Sequence, residues 1–414
     1  MRIAYLTQSY PPMISGAALA VEKLATAMAQ RGHQVLVIAA SDRERPYHTY
    51  KDNLTIIRLS SIHNPMRAHQ RFLLFPQFAI IKALKKFQPD IIHVHEPLQT
   101  AWAGISYARQ HKLPITMTVH QLPAFAASYL PNLPILRQQI ESLLWMYARA
   151  LIKQFTAVIT PSHNTSGLLA NFTGIKANTI SNGIDLQRFH PPLSSDDGTA
   201  TRTRLNLPSN VPILLHIGRL DTDKSVDKVI RAAAPAIRES EAQLLIVGDG
   251  CEKKSLMGLC HTLGIAQRVH FTNLISDHQY LSEIYRMASI FITASEIETQ
   301  GIVLLEAAAS GLPIVAVDAT CISEIVHDQV SGFLTMPGNI PDLSNRIITL
   351  LNNPERARMM GIDGRTLVEA HDIHRTWSLH EKLYLETAKK THTRHVFIQR
   401  PGTWELVKAR IGFK

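Results

Sequence analysis

The feature that most restricts this chain is an alternation of short apolar runs with helical-period segments, met in two successive trains. Residues 2–8 are apolar and β-rich, and a turn cluster, Ser9-Tyr10-Pro11-Pro12 with Gly16, follows them. Residues 19–30 then place Val21, Leu24, Ala25 and Met28 at helical spacing, and residues 34–39 return to strand character. Strand, helix and strand in this order require a crossover, hence parallel pairing with helices on the sheet. Strand signals recur at 55–59, 91–95, 115–120 and 157–160. A Pro-, Ser-, Asp- and Gly-rich stretch at 191–210 reads as a linker or surface loop. A second train begins beyond it, with strands at 213–217, 243–247, 269–272, 290–293 and 314–317. The chain is therefore expected to be α/β, with two Rossmann-like domains facing across a cleft. The expected divisions are 1–190, 191–375 and a final helix and tail, 376–414, returning to the first domain. Ligands of such sheets sit at the carboxyl ends of the strands.

Length and composition remove other classes. At 414 residues, 45% hydrophobic and 18% charged, the chain supports full cores. Its longest apolar runs, 72–84 and 302–317, are broken by Pro76, Lys82 and Glu306, below the roughly 18 residues a membrane span needs. The first residues read as a strand, not a signal peptide. Cys251, Cys260 and Cys321 show no metal-ligand spacing and suit a reducing cytosol. The net charge of +10 is unevenly spread: residues 1–190 carry 19 basic and 8 acidic residues, and the remainder is near neutral. A phosphorylated substrate, an anionic membrane or a nucleic acid each fits that excess, as does a solvated basic surface.

Three segments carry candidate chemistry. The loop ending in Ser15-Gly16-Ala17 offers backbone approach and a helix N-terminus to an anion, although the G-x-G-x-x-G spacing is absent. Gly218-Arg219-Leu220-Asp221-Thr222-Asp223-Lys224 follows a strong strand, and Arg219 with Lys224 suits a pyrophosphate. Asp221 or Asp223 is read as a helix cap, not as a metal ligand. Residues 295–313 place Glu298 at a helix entry and Glu306 eight positions later, about 12 Å apart if helical throughout. That separation suits one carboxylate on a sugar and another on a ribose. Glu306 sits in an apolar run, where an unpaired charge is costly, so a ligand or a buried partner is expected. His93-x-His95 lies near a strand end with both rings on one face, and its reading as a metal pair lacks a third ligand of suitable spacing. His120 closes the strand 115–119, where a histidine can donate to a phosphate or sugar hydroxyl. A satisfied core histidine competes for all three.

Together the Gly16 loop, Thr116-Met117-Thr118-Val119-His120, Pro161-Ser162, Ser181-Asn182-Gly183-Ile184-Asp185 with Phe189, Gly218-Arg219-Leu220 with Lys224, Ile246-Val247-Gly248-Asp249-Gly250 and Glu298-x7-Glu306 resemble, in that order, the retaining GT-B glycosyltransferases of family 4. The resemblance implies an acceptor-binding N-terminal domain and a nucleotide-sugar-binding C-terminal one. Arg219 and Lys224 would hold the donor diphosphate, with a backbone contact from Gly16. Glu306 would bind the ribose. Glu298, Thr299, Gln300 and Gly301 would hold the transferred sugar, His120 would assist there, and Asn273 and Leu274 would meet the nucleobase. No metal or other cofactor is implied. Ala17 and Ser225 stand where the family commonly has glycine.

Glu298-Thr299-Gln300-Gly301 is similar to the version in enzymes that glycosylate diacylglycerol and related lipids. Residues 66–87 set Arg67, Arg71, Lys82, Lys85 and Lys86 among Phe72, Leu73, Leu74, Phe75, Phe78, Ile80 and Ile81, as an interfacial segment on anionic lipid would. Residues 395–414 mix apolar and basic residues and would touch membrane or return to the first domain. The reading is a hexosyltransferase using UDP-glucose or a similar donor and a lipid acceptor, cytoplasmic and peripheral at the membrane. A soluble sugar or polysaccharide acceptor is the alternative. A nucleic-acid-binding role lacks aromatic platforms and a reading motif.

Overall fold

The computed structural model describes residues 1–13, 15–64, 70–127, 134–193 and 198–398. The first half supplies β1 (Arg2–Leu6), β2 (Gln34–Ala40), β3 (Tyr47–Lys51), β4 (Leu54–Leu59), β5 (Ser61–His63), β6 (Arg71–Leu73), β7 (Ile91–Val94), β8 (Ile115–Thr118), β9 (Ala157–Thr160) and β10 (Asn178–Thr179). The second supplies β11 (Ile213–Ile217), β12 (Gln243–Val247), β13 (Val269–Thr272), β14 (Ile290–Thr293), β15 (Ile314–Val317) and β16 (Gly332–Thr335). Among the described residues the first sheet runs β10-β9-β8-β7-β1-β2-β4-β3, parallel except for the edge strand β3. The second runs β13-β12-β11-β14-β15-β16 and is parallel throughout. This is the strand order of a dinucleotide-type doubly wound sheet. Strand order reverses between β1 and β7 in one sheet and between β11 and β14 in the other, so each sheet opens a crevice at the carboxyl ends of those pairs.

Period-two alternation divides the first sheet's core. Ile3, Tyr5, Val35 and Val37 pack under the helix Gly16–Gln30, whereas Ala4, Leu6, Leu36 and Ile38 pack under the helices Gln77–Phe87 and Gln99–His111. The long helix Ile373–Ile398 follows the second sheet yet packs on the first half: Tyr384 is fully buried there, and Glu381 meets Arg31 and His33 at 2.6 and 2.8 Å.

Several local expectations change. The stretch 191–210 contains a helix, Thr199–Arg204. Pro76 does not interrupt a helix over 66–87. It caps one, Gln77–Phe87, after the β5–β6 hairpin, because a proline is tolerated at a helix start but not inside. Arg67 lies outside the described residues, as do most of 395–414. The Arg71 guanidinium is already committed, donating to Ser61 Oγ at 2.7 Å and Ser61 O at 3.1 Å, so it serves the hairpin.

Candidate active site at the facing strand ends

Arg219 and Lys224 sit on the loop after β11, and Ser295–Gly301 sits on the loop after β14, either side of the crevice in the second sheet. Arg219 donates to Asp221 and, at 2.8 Å, to Asp223. The expected capping role for these aspartates is therefore corrected: no side-chain cap bond is made, and both carboxylates orient the guanidinium. Asp221 Oδ1 also accepts from Cys251 N at 3.2 Å. Lys224 Nζ lies 2.6 Å from Glu298 Oε1, which Ser295 Oγ also engages at 2.9 Å. Ser225 stands at φ +49°, the left-handed region, which explains why a glycine suits that position.

The glycines of Ile246-Val247-Gly248-Asp249-Gly250 hold this loop in place by close backbone packing. A Cβ on Gly248 would meet Gly218 O at 1.9 Å, and one on Gly250 would meet Leu220 O at 2.4 Å. Leu220 N in turn donates to Asp249 O at 2.9 Å.

Glu298 is not at the first turn of a helix. The polar segment 294–301 is a loop, and the helix Ile302–Ala309 begins only after Gly301 at φ +75°. The 12 Å helical rise between Glu298 and Glu306 therefore does not apply. Glu306 is 4% exposed and accepts from Tyr285 OH at 2.9 Å, the buried partner its apolar setting required. Burial pushes its carboxyl up, and the positive charges of Lys23 and Arg188 pull against that shift.

The first half closes over this cluster. Gly16 abuts Ile302 at the start of the helix, where a Cβ would stand 3.3 Å from Ile302 Cδ1. Thr299 Oγ1 donates to His120 O at 3.2 Å, while Ser162 and Thr165 hydroxyls donate to Thr299 O at 2.7 and 3.0 Å. Gln300 bridges Asn182 N and Ser181 Oγ at 2.8 and 2.7 Å. The Phe125 ring lies 5.9 Å from the Arg219 guanidinium carbon. Gly16, His120, Arg219, Lys224 and 298–301 are thus brought together between the sheets. Asn273 lies at the end of β13 and accepts from Lys253 Nζ at 2.7 Å, with Leu274 exposed beside it. Lys82, Lys85 and Lys86 lie apart, exposed on the helix Gln77–Phe87.

The histidines divide by partner. His93 is fully satisfied, by Tyr384 OH at 2.7 Å and Thr118 Oγ1 at 2.8 Å, so it serves packing. His120 Nε2 lies 2.9 Å from His95 Nδ1, and burial lowers the His120 imidazole to about 4. Among the described residues no group of three His, Cys, Asp or Glu is arranged to hold a metal ion.

Glu96 escaped the sequence reading. It is 4% exposed and accepts from Thr7 Oγ1, Gln8 N and Ser9 N at 3.0, 2.8 and 3.1 Å, tying down the loop after β1; burial nonetheless raises its carboxyl to about 7. Its place just past β7, at the crossover, was the available signal. A cavity of about 430 Å³ lies elsewhere, at the amino ends of β9 and β10 against the final helix, away from these groups.

Comparison with known proteins agrees with this arrangement. The family described as Glycosyltransferase Family 4 matches residues 14–188, and that described as Glycosyl transferases group 1 matches residues 197–367. An alpha-monoglucosyldiacylglycerol synthase of Streptococcus pneumoniae is 28% identical over 337 residues, 81% of this chain and 75% of the relative. A GDP-mannose-dependent alpha-mannosyltransferase of Mycobacterium tuberculosis is 29% identical over 345 residues, 82% of this chain and 84% of the relative. Among solved structures, sucrose-phosphate synthase from Thermosynechococcus elongatus superposes with a TM-score of 0.79 at 24% identity, covering 93% of this chain and 98% of that one. Anabaena HepE in complex with UDP-glucose gives 0.74 at 20% identity, over 94% and 100% of the chains. Two half-chain family matches in register with two facing doubly wound sheets settle the assignment: the chain belongs to the family 4 glycosyltransferases and has the GT-B fold.

Proposed function

We propose that this glycosyltransferase moves a hexose from a nucleoside diphosphate sugar, UDP-glucose or a similar donor, to a membrane lipid or glycolipid acceptor such as diacylglycerol, with retention and without a metal. The observation carrying the donor half is the Arg219, Lys224 and Glu298 cluster facing His120 and Gly16. Arg219 and Lys224 stabilise the diphosphate as the bond from C1 to the leaving oxygen breaks. The acceptor oxygen attacks C1 on the same face, and its proton passes to the departing phosphate. Glu298 and the backbone of 299–301 hold the sugar, Glu306 holds the ribose, Asn273 and Leu274 flank the base, and the start of the helix Ile302–Ala309 adds its positive dipole end near the phosphates.

The lipid acceptor is supported by the similarity to an enzyme named for diacylglycerol chemistry and by one surface. Leu74, Phe75 and Phe78 are 45%, 90% and 80% exposed beside Lys82, Lys85 and Lys86, the composition of an interfacial helix on anionic lipid. The test pairs a donor panel with and without lipid extract and co-sedimentation with phosphatidylglycerol vesicles. Lipid-dependent transfer, and vesicle binding that weakens with salt and with Lys82, Lys85 and Lys86 neutralised, are expected. Indifference to vesicles together with transfer to soluble sugars would replace the acceptor half.

A further inference from the structure

A line of imidazoles leaves the site and enters the first half. The His120 and His95 rings stack at 5.2 Å between centroids and 20° between planes, joined through Nε2 and Nδ1 at 2.9 Å. His95 is 3% exposed, and its other nitrogen, Nε2, is buried without a partner. The same holds for Nδ1 of His380, 5% exposed on the final helix. His95, His120 and His380 line one void of about 10 Å³, with Thr118, Asn182 and Thr376 as further polar neighbours. A void of that size holds about one water. A buried nitrogen left without a partner destabilises the fold, and one water reaching both would supply a partner to each.

We propose that an ordered water links His380 Nδ1 to His95 Nε2, and that the chain His380–water–His95–His120 fixes the tautomer of His120, making His95 and His380 positioning residues for transfer. The proposal rests on the reading of His120 as a contact of the sugar or phosphate. Two proton orders satisfy the chain. In one, His380 donates to the water, the water to His95 Nε2, and His95 Nδ1–H to His120 Nε2. His120 then carries its proton on Nδ1, which has no partner among the described residues. In the reverse order Nδ1 presents a lone pair, which an anionic leaving group repels. The first order is the one assigned. Burial, and the closeness of the rings to one another, keep all three imidazoles neutral, so a tautomer rather than a charge is being set. His93 and the buried hydroxyls of Tyr5 and Tyr384 complete the surroundings.

The test compares His95→Leu with His95→Asn, whose amide nitrogen takes the place of Nδ1. His95→Leu is expected to lower kcat about 100-fold, the scale of losing one preorganised donor at the leaving group, with donor KM unchanged. His95→Asn should recover most of that loss, and His95→Leu should add nothing in a His120→Ala background. Nitrogen NMR of the imidazoles should report His120 as the Nδ1–H tautomer in the unaltered protein and a mixture in His380→Phe. An Nε2–H tautomer, equal losses in both His95 variants, or losses that multiply with His120→Ala would overturn the proposal. Full activity of His120→Ala would instead remove the underlying reading, and the NMR result would still judge the chain.

Discussion

Lys224 Nζ and Glu298 Oε1 meet at 2.6 Å across the point where the second sheet reverses its strand order, joining the loops after β11 and β14. Neither side chain is more than 18% exposed, and Asp223 stands 3.7 Å from the same ammonium. Under the proposed function, a sugar diphosphate entering here would meet a cation already oriented by carboxylates. Glu298→Gln keeps the shape and removes the charge. Transfer should fall about 100-fold in kcat, the scale of one preorganised electrostatic contact. The thermal midpoint should barely move, since the Gln amide oxygen can still accept from Lys224 and Asp223 stays 3.7 Å from the ammonium. Initial-rate kinetics and a melting curve check both.

Glu306 separates stability from function. Its carboxylate is buried against Tyr285 OH, with burial opposing ionisation. Tyr285→Phe leaves that carboxylate without its donor and should cost about 1–3 kcal/mol in denaturant unfolding. Glu306→Met, of similar volume, should leave stability equal or higher while donor affinity drops. A Glu306→Met protein that both melts early and binds donor normally would contradict the assignment.

Gly250→Ala should damage the proposed donor site from a distance. The new methyl would meet Leu220 O at 2.4 Å and Asp221 Oδ1 at 2.7 Å, forcing the Arg219 loop outward. Donor KM should rise at least tenfold with the circular dichroism spectrum retained.

The buried histidines set an acid limit. Burial lowers His216 and His120 to about 4 and His380 to about 3, against an ordinary value of 6.5. Between those values the unfolded chain takes up protons that the folded one refuses. Their stabilising contribution is therefore complete above pH 6.5 and is lost as the pH falls towards 4. Each pH unit of that mismatch is worth about 1.4 kcal/mol per histidine. Urea midpoints should change little from neutral pH to about 6.5 and then fall, because the several lowered histidines outweigh Glu96, whose carboxyl at about 7 takes up a proton in the same window. The fall should be smaller in His380→Phe.

Much of this was legible in the sequence. Both sheets follow from the period-two and helical-period runs, because buried parallel strands such as Ile314–Val317 are apolar throughout. The edge strand Tyr47–Lys51 was not, since only one side of it pairs and its residues face solvent. The cluster of Arg219, Lys224 and Glu298 was readable from its place after strands. What Asp221 and Asp223 do was not: a carboxylate near a helix start suits either a cap or a cation, and only the fold turns Arg219 towards them. The partners of Glu96 and the pairing of His95 with His120 depend on neighbouring strands far apart in sequence, so the position of Glu96 just past a strand was the one local signal for either.

Titration calorimetry of the nucleoside diphosphate into the unaltered protein, Arg219→Ala and Lys224→Ala reaches the central assignment most directly. Loss of at least about 100-fold in affinity, near 2.8 kcal/mol, is predicted for each variant, with the fold preserved. Undiminished affinity in Lys224→Ala would contradict it.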